Sequence, residues 1–176
     1  MNSSIFREYD IRGIADKDLA DDIVADIGLA IGTLFAKKGL KKISIGRDCR
    51  KSSERIFKVL SSSIIKTGIS IVDLGMVTTP VLYFSLYGIK IDGGIMITAS
   101  HNPPDYNGFK AAIGKNVLSA EQIQEIKNII KSKSFIQDKN LGTLEELDII
   151  DIYKKDILKS INLNKRIRIG VDCANT

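Results

Sequence analysis

Short apolar strands alternate with amphipathic helices along most of this chain, and that alternation constrains the fold more than any other feature. Ile23, Ile27, Ile31 and Leu34 recur at four- and three-residue spacing, which predicts a helix over about 19–38 closed by Gly39. Ile43-Ser44-Ile45 then alternates into the polar Gly46-Arg47-Asp48, a short strand followed by a loop. Ser52 or Ser53 is placed to cap the next helix, whose Ile56, Phe57, Leu60 and Ile64 share one face and whose stop is Gly68. A second strand is expected over 69–72. A helix with Thr79 as N-cap and Pro80 at its first position should run to about Tyr87 and end at Gly88, before strands over 94–98 and 109–113. Ser119-Ala120-Glu121-Gln122 is a capping-box pattern ahead of Ile123, Ile126 and Ile130.

Such repetition builds an open α/β layer with helices on both faces, and its ligand crevice lies at the carboxyl ends of the strands. Gly46-Arg47-Asp48 and Ser100-His101-Asn102 each follow a strand, so one rim is expected to hold both. Residues 132–144 are polar and irregular and read as a linker, followed by a helix over 144–161 and an alternating strand over 166–172. A strand with no element after it cannot bury both faces, so the C-terminus reads as cut rather than finished.

Residues 98–110, Thr-Ala-Ser-His-Asn-Pro-Pro-Asp-Tyr-Asn-Gly-Phe-Lys, carry the densest chemistry. Ser100 follows the apolar run Gly94-Ile95-Met96-Ile97, and two prolines with Asp105, Asn107 and Gly108 imply a tight, pre-shaped loop. A hydroxyl presented this way suits a nucleophile or a phosphate carrier, or a stiff turn whose hydroxyl caps backbone amides. A Ser-His hydrolase pair is disfavoured because sequence-adjacent side chains usually diverge. A histidine metal site is disfavoured because His101 is the single histidine.

A second cluster, Phe6-Arg7-Glu8-Tyr9-Asp10-Ile11-Arg12-Gly13, precedes the first helix and should be extended or looped. Arg12 beside Gly13 fits an anion contact, since a guanidinium binds phosphate oxygens bidentately and glycine lets a ligand approach; the alternative is a surface pair with Asp10. Lys110 returns a cation to the serine loop, as a phosphate counter-charge or as a proton donor or acceptor.

Net charge of +5 invites a nucleic-acid reading, but Lys and Arg are dispersed beside acidic residues, as in Asp16-Lys17-Asp18, and Trp is absent. No nucleic-acid partner is expected; the same positive field suits a small phosphorylated metabolite. No apolar run approaches bilayer length and the polar start Met1-Asn2-Ser3-Ser4 has no signal-peptide core, so no membrane partner is expected. Cys49 and Cys173 lie far apart without metal-ligand spacing and read as unpaired thiols of a cytoplasmic protein.

Taken together, four segments resemble the N-terminal domain of the α-D-phosphohexomutases, in the phosphomannomutase/phosphoglucomutase branch. They are Phe6 through Gly13, Gly46-Arg47-Asp48, Thr79-Pro80, and Thr98 through Lys110, in family order. The branch follows from Tyr9-Asp10-Ile11-Arg12-Gly13, where phosphoglucosamine mutases usually carry a GTDGIRG-like start.

The resemblance implies a three-layer α/β/α domain with a mixed, mostly parallel sheet over residues 1–135. Residues 136–176 would then be the linker, helix and first strand of a second, similar domain. It implies interconversion of hexose 1-phosphate and hexose 6-phosphate, of mannose, glucose or both, through a hexose 1,6-bisphosphate that is also the activator. Ser100 would carry the phosphoryl group, with Arg12, Lys110 and His101 catalytic and Tyr9, Asn102 and Arg47 on the substrate. Mg2+ would bind a phosphoryl oxygen on Ser100, with carboxylates supplied from outside this chain. The remaining domains would be partners, without which the chain should not turn over. A stand-alone phosphosugar-binding or interaction module is the alternative, and a continuation past Thr176 containing an Asp-Gly-Asp loop would decide against it.

Overall fold

A computed structural model describes residues 2–172, so Met1 and Cys173 through Thr176 lie outside the described residues. After a short 3-10 turn at Ser3–Ile5 the chain runs β1 (Ile11–Ile14), α1 (Asp21–Lys37), β2 (Lys42–Arg47), α2 (Ser53–Ile65), β3 (Ser70–Met76) and α3 (Thr79–Gly88). It continues with β4 (Gly93–Ile97), β5 (Tyr106–Ile113), β6 (Asn116–Val117), α4 (Ala120–Ser132), β7 (Leu144–Glu146) and α5 (Ile150–Ser160). The seven-stranded sheet has the order β1-β5-β4-β2-β3-β7, with β6 added to β5. Only β5 runs against the rest, so the sheet is mixed and mostly parallel, as expected.

The sheet separates two apolar layers. Ile27, Ile31, Leu34 and Phe35 of α1 pack with Ile56, Phe57 and Leu60 of α2, Ile126 and Ile130 of α4, and one face of the sheet. Val81 and Leu82 of α3 meet Val72, Leu74 and Met96 on the other face, with Ile149 at the head of α5. There Phe84 and Tyr153 meet edge to face, 5.2 Å between ring centroids. Each fully buried Ile or Leu contributes about 1.5–3 kcal/mol by leaving water, so the periodic apolar stripes drive the layering. No described helix is long and apolar enough to cross a membrane.

Several local expectations shift. The capping box forms: Ser119 Oγ accepts from the Gln122 amide, and the Gln122 side chain accepts from the Ser119 amide at 2.9 Å. Ser52 stands at the N-cap of α2 without a side-chain cap bond, because its hydroxyl accepts instead from Asn107 Nδ2 at 2.9 Å. The N-cap of α3 is Thr78 rather than Thr79, since the Thr78 carbonyl accepts from the amides of Val81 and Leu82 at 3.0 and 3.2 Å.

The segment read as a linker is tied down, with the Asp138 amide donating to the Lys66 carbonyl and that of Gly142 to Ile65. The helix expected over 144–161 is shorter, because Leu144–Glu146 pairs in parallel with Ile71, Val72 and Asp73 as an edge strand. The strand expected over 166–172 does not form. Those residues are exposed and, among the described residues, no neighbouring strand supplies ladder partners, without which alternation alone cannot hold an extended segment.

Candidate active site

Asp48 and Ser100 share one rim, as their positions after strands imply: the Asp48 amide donates to the Ile97 carbonyl at 3.0 Å, beside the start of the serine loop. The loop is shorter than its composition suggests. Asn107 and Gly108 belong to β5, not to a turn, and pair with Gly13 and Arg12 of β1. Asn107 is fully buried. Its Nδ2 donates to Ser52 Oγ and Ser53 Oγ, both at 2.9 Å, and its Oδ1 accepts from the Gly108 amide at 2.8 Å. Gly108 makes a close approach possible, because a Cβ there would lie 2.3 Å from the Ile11 carbonyl oxygen.

Within the loop Ser100 is exposed and adopts φ +56°, the left-handed region that a residue with a side chain enters at a cost of about 1–3 kcal/mol. Its amide donates to Thr98 Oγ1 at 3.0 Å and the Asn102 amide donates to the Ala99 carbonyl at 3.1 Å, which holds the turn. This backbone brings Ser100 Oγ within 3.3 Å of His101 Nδ1. The two side chains therefore converge across the left-handed Ser100, against the expectation that neighbours in sequence diverge. Among the described residues no carboxylate bonds the second ring nitrogen, so a hydrolase triad lacks its third member.

Arg12 reaches the loop from β1. Its Nη1 donates to Asn102 Oδ1 at 2.8 Å and to the Ala99 carbonyl at 3.2 Å, while Nη2 pairs with Asp10. The Asp10 pair is thus present but buried, with side chains only 9% and 13% exposed. Arg12 Nε is a buried donor without a partner among the described residues. Gly13 does not open a path for a ligand: a Cβ there would lie 2.6 Å from Asp18 Cβ, so the space it leaves is filled by the protein itself.

The Asp18 carboxylate accepts from the Ile14 amide at 3.0 Å and from Asn2 Nδ2 at 3.1 Å. Those bonds, the amide first, hold its pKa below the ordinary carboxylate range. A depressed folded pKa contributes stability that is present above the unfolded value of about 3.9 and lost as pH falls through the folded one. Asp18→Asn is expected to lower the thermal midpoint at neutral pH by about 1–3 °C, a small effect because the site is only half-buried. The difference should shrink between neutral pH and an acid pH below the depressed folded value, where the carboxylate is protonated in both states. Calorimetry at both pH values checks this, and a gap that persists in acid would show that the carboxylate charge is not its source.

The other sequence candidates are placed unequally. Tyr9 is 66% exposed, and a hydrogen bond to the Glu8 carboxylate, then that carboxylate's charge, pushes its hydroxyl pKa up. Lys110 lies on β5 opposite Met96, one pleat from Gly108 and on the face of the sheet that Arg12 shares. Among the described residues its ammonium has no ion-pair partner. Arg47 turns to the opposite side, pairing with Asp73 at 2.6 Å and Glu54 at 2.8 Å over the Phe57 ring, and among the described residues no side-chain hydrogen bond or ion pair joins it to the serine loop.

One residue that the sequence reading passed over dominates the loop's underside. Arg50 Nη2 donates to the carbonyls of Ser100 and Asn102 at 2.9 and 2.7 Å, and Nη1 to those of Pro103 and Tyr106 at 2.6 and 3.1 Å. Its Nε donates to Asp48 Oδ2 at 3.2 Å. Asp48 Oδ1 in turn accepts from Ser53 Oγ at 2.6 Å, which continues the network to Asn107. Among the described residues no three His, Cys, Asp or Glu side chains gather as a metal-ligand set.

A hydroxyl at the strand ends, braced by the buried Arg12 and the partly buried Arg50, is an arrangement suited to a charged transferring group. The family model for phosphoglucomutase/phosphomannomutase, alpha/beta/alpha domain I, matches residues 3–137. The chain belongs to the phosphoglucomutase/phosphomannomutase family. It is 42% identical over 171 residues to a phosphoglucomutase of Neisseria gonorrhoeae, covering 97% of this chain and 37% of that protein. With a phosphomannomutase/phosphoglucomutase of Pseudomonas aeruginosa it shares 38% identity over 173 residues, covering 98% and 37%. The crystal structure of a phosphoglucomutase/phosphomannomutase family protein from Burkholderia thailandensis superposes with a TM-score of 0.88 at 34% identity, over 94% of this chain and 37% of that one. The chain therefore spans about 37% of the length of these mutase relatives.

Proposed function

We propose that Ser100 carries the phosphoryl group of an enzyme that interconverts hexose 1-phosphate and hexose 6-phosphate, of mannose, glucose or both. The observation that carries this reading is the exposed Ser100 hydroxyl in a left-handed turn whose Ala99 and Asn102 are gripped by the buried Arg12 guanidinium. Phosphoryl transfer asks for positioning and charge neutralisation more than for covalent chemistry from the protein. In the first step the free sugar hydroxyl oxygen bonds to phosphorus, the P–Oγ bond breaks, and the hydroxyl proton ends on Ser100 Oγ. The product is a hexose 1,6-bisphosphate. After it turns over, Oγ attacks the other phosphorus and gives up its proton to the released sugar oxygen, so the net change is an isomerisation.

His101 Nδ1, 3.3 Å from Oγ, or the Lys110 amine would relay that proton. Arg12, with its unpartnered Nε, would neutralise the phosphoryl charge. Tyr9 and Asn102 would meet the sugar. Arg47 would have to exchange Asp73 or Glu54 for a ligand, so it ranks last among these contacts. The described residues do not by themselves form a magnesium shell. Mg2+ would be held at a phosphoryl oxygen on Ser100, where it would supply further charge neutralisation.

The same reading divides the chain into a first domain over 1–135 and the opening of a second over 136–176, in a cytoplasmic enzyme whose remaining domains complete the site. Intact mass of the parent enzyme before and after phosphatase treatment tests the carrier role. One phosphoryl increment on the Ser100 peptide is expected, and a parent enzyme that turns over without ever showing it defeats the assignment. The 176-residue chain alone, given glucose 1-phosphate and its bisphosphate, should show no turnover; a rate near that of an intact mutase would refute the need for further domains.

A further inference from the structure

We propose that Arg50 is a positioning residue for phosphoryl transfer, acting through the backbone of the serine loop; this rests on the reading of Ser100 as the carrier. A guanidinium has five N–H donors in a fixed plane, and Arg50 uses all of them: four on the carbonyls of Ser100, Asn102, Pro103 and Tyr106 and one on Asp48. Its side chain is 13% exposed, and the bonds to Asp48, Asn102 and Tyr106 are partly shielded from water while those to Ser100 and Pro103 lie at the exposed end.

The loop depends on an outside donor for a reason written in its sequence. The peptide bonds that precede Pro103 and Pro104 have no N–H, so this stretch of the loop cannot join a ladder. The carbonyls of Asn102 and Pro103, which belong to those two bonds, both accept from one cation, and that of Pro103 also accepts from the Tyr106 amide at 3.0 Å. The Ser100 carbonyl is held by the same group, while the Ser100 amide is held by Thr98 Oγ1. The left-handed residue is therefore pinned on both sides, and the direction of its hydroxyl follows from Arg50 without any contact between Arg50 and that hydroxyl.

Lysine cannot reproduce this, because its ammonium has three donors and no plane. In the parent enzyme Arg50→Lys is expected to lower kcat about 100-fold, the penalty of a displacement near 1 Å, while KM for the hexose phosphate stays within about three-fold. Arg50→Ala should lose at least as much and regain part of it when guanidinium ion is added at millimolar concentration. A kcat for Arg50→Lys within about two-fold of wild type overturns the proposal, as does a loss that only follows the folded fraction and is not rescued.

If neither variant folds, nitrogen-15 spectra of the wild-type 176-residue chain decide. Individually resolved Arg50 Nη protons, frozen about the Cζ–Nη bonds, support the clamp, and averaged signals overturn it. Ser100→Ala serves as the separate arm. Turnover that survives Ser100→Ala removes the carrier reading and this inference with it, whereas an inactive Ser100→Ala beside a fully active Arg50→Lys leaves the carrier reading standing alone.

Discussion

Arg12→Met is expected to destabilise the fold by about 3–5 kcal/mol and to slow phosphoryl transfer in the parent enzyme by about 10²–10³-fold. Both losses come from one group. The Asp10 carboxylate is only 13% exposed and would be left buried without its cation, while the Ala99 carbonyl and Asn102 Oδ1 would lose their donor. Removing one member of a buried pair costs far more than the pair is worth, because the survivor keeps its desolvation penalty. Pairing Arg12→Met with Asp10→Asn should separate the effects. The double variant should recover part of the stability, measured by urea unfolding, but none of the transfer rate, since the charge proposed to face the phosphoryl group is still gone. A double variant that recovers the rate as well would show that Arg12 acts only by holding the loop.

Gly108→Ala should cost about 3 kcal/mol or more, although it adds a single methyl group. That carbon would sit 2.3 Å from the Ile11 carbonyl oxygen and 3.1 Å from the Arg12 Cα, both backbone atoms of β1. A flexible side chain could swing away, but a paired strand can only be pushed off, and β1 carries Arg12. Gly170→Ala is the control, since nothing lies within 4 Å of its added carbon. It should change stability by no more than about 0.5 kcal/mol. Equilibrium urea unfolding of the two variants checks this; a Gly108→Ala midpoint close to that of Gly170→Ala would mean that β1 and β5 are not packed as described.

Asn107 and Gly108 also mark the limit of reading residue types. Both are common turn formers, and their place after two prolines made a turn the natural expectation. Their real roles are non-local. Asn107 reaches the hydroxyls at the head of α2, and Gly108 makes room for a strand nearly a hundred residues earlier in the chain. Arg50 escaped attention for a similar reason. Its own neighbours, Cys49 and Lys51, say nothing of carbonyls some fifty residues away. The proline pair did contain the signal, because two consecutive residues without N–H groups leave a loop short of internal donors for its carbonyls. At the other end, alternation over 166–172 promised a strand that nothing in the described residues pairs with.

Local periodicity and cap residues were enough to place most of the helices and strands, their layering and the presentation of Ser100 at a strand end, because burying an apolar stripe is a property of each segment's own spacing. The serine loop and the Tyr9-to-Gly13 cluster were equally legible as candidate chemistry. Only the tertiary structure decided which cations serve that loop. It placed Arg12 and Arg50 against the backbone around Ser100 and turned Arg47 toward Asp73 and Glu54. It also brought His101 to the serine through a left-handed turn. Hydrogen bonds and ion pairs between distant segments depend on strand register and sheet order, which no local pattern encodes.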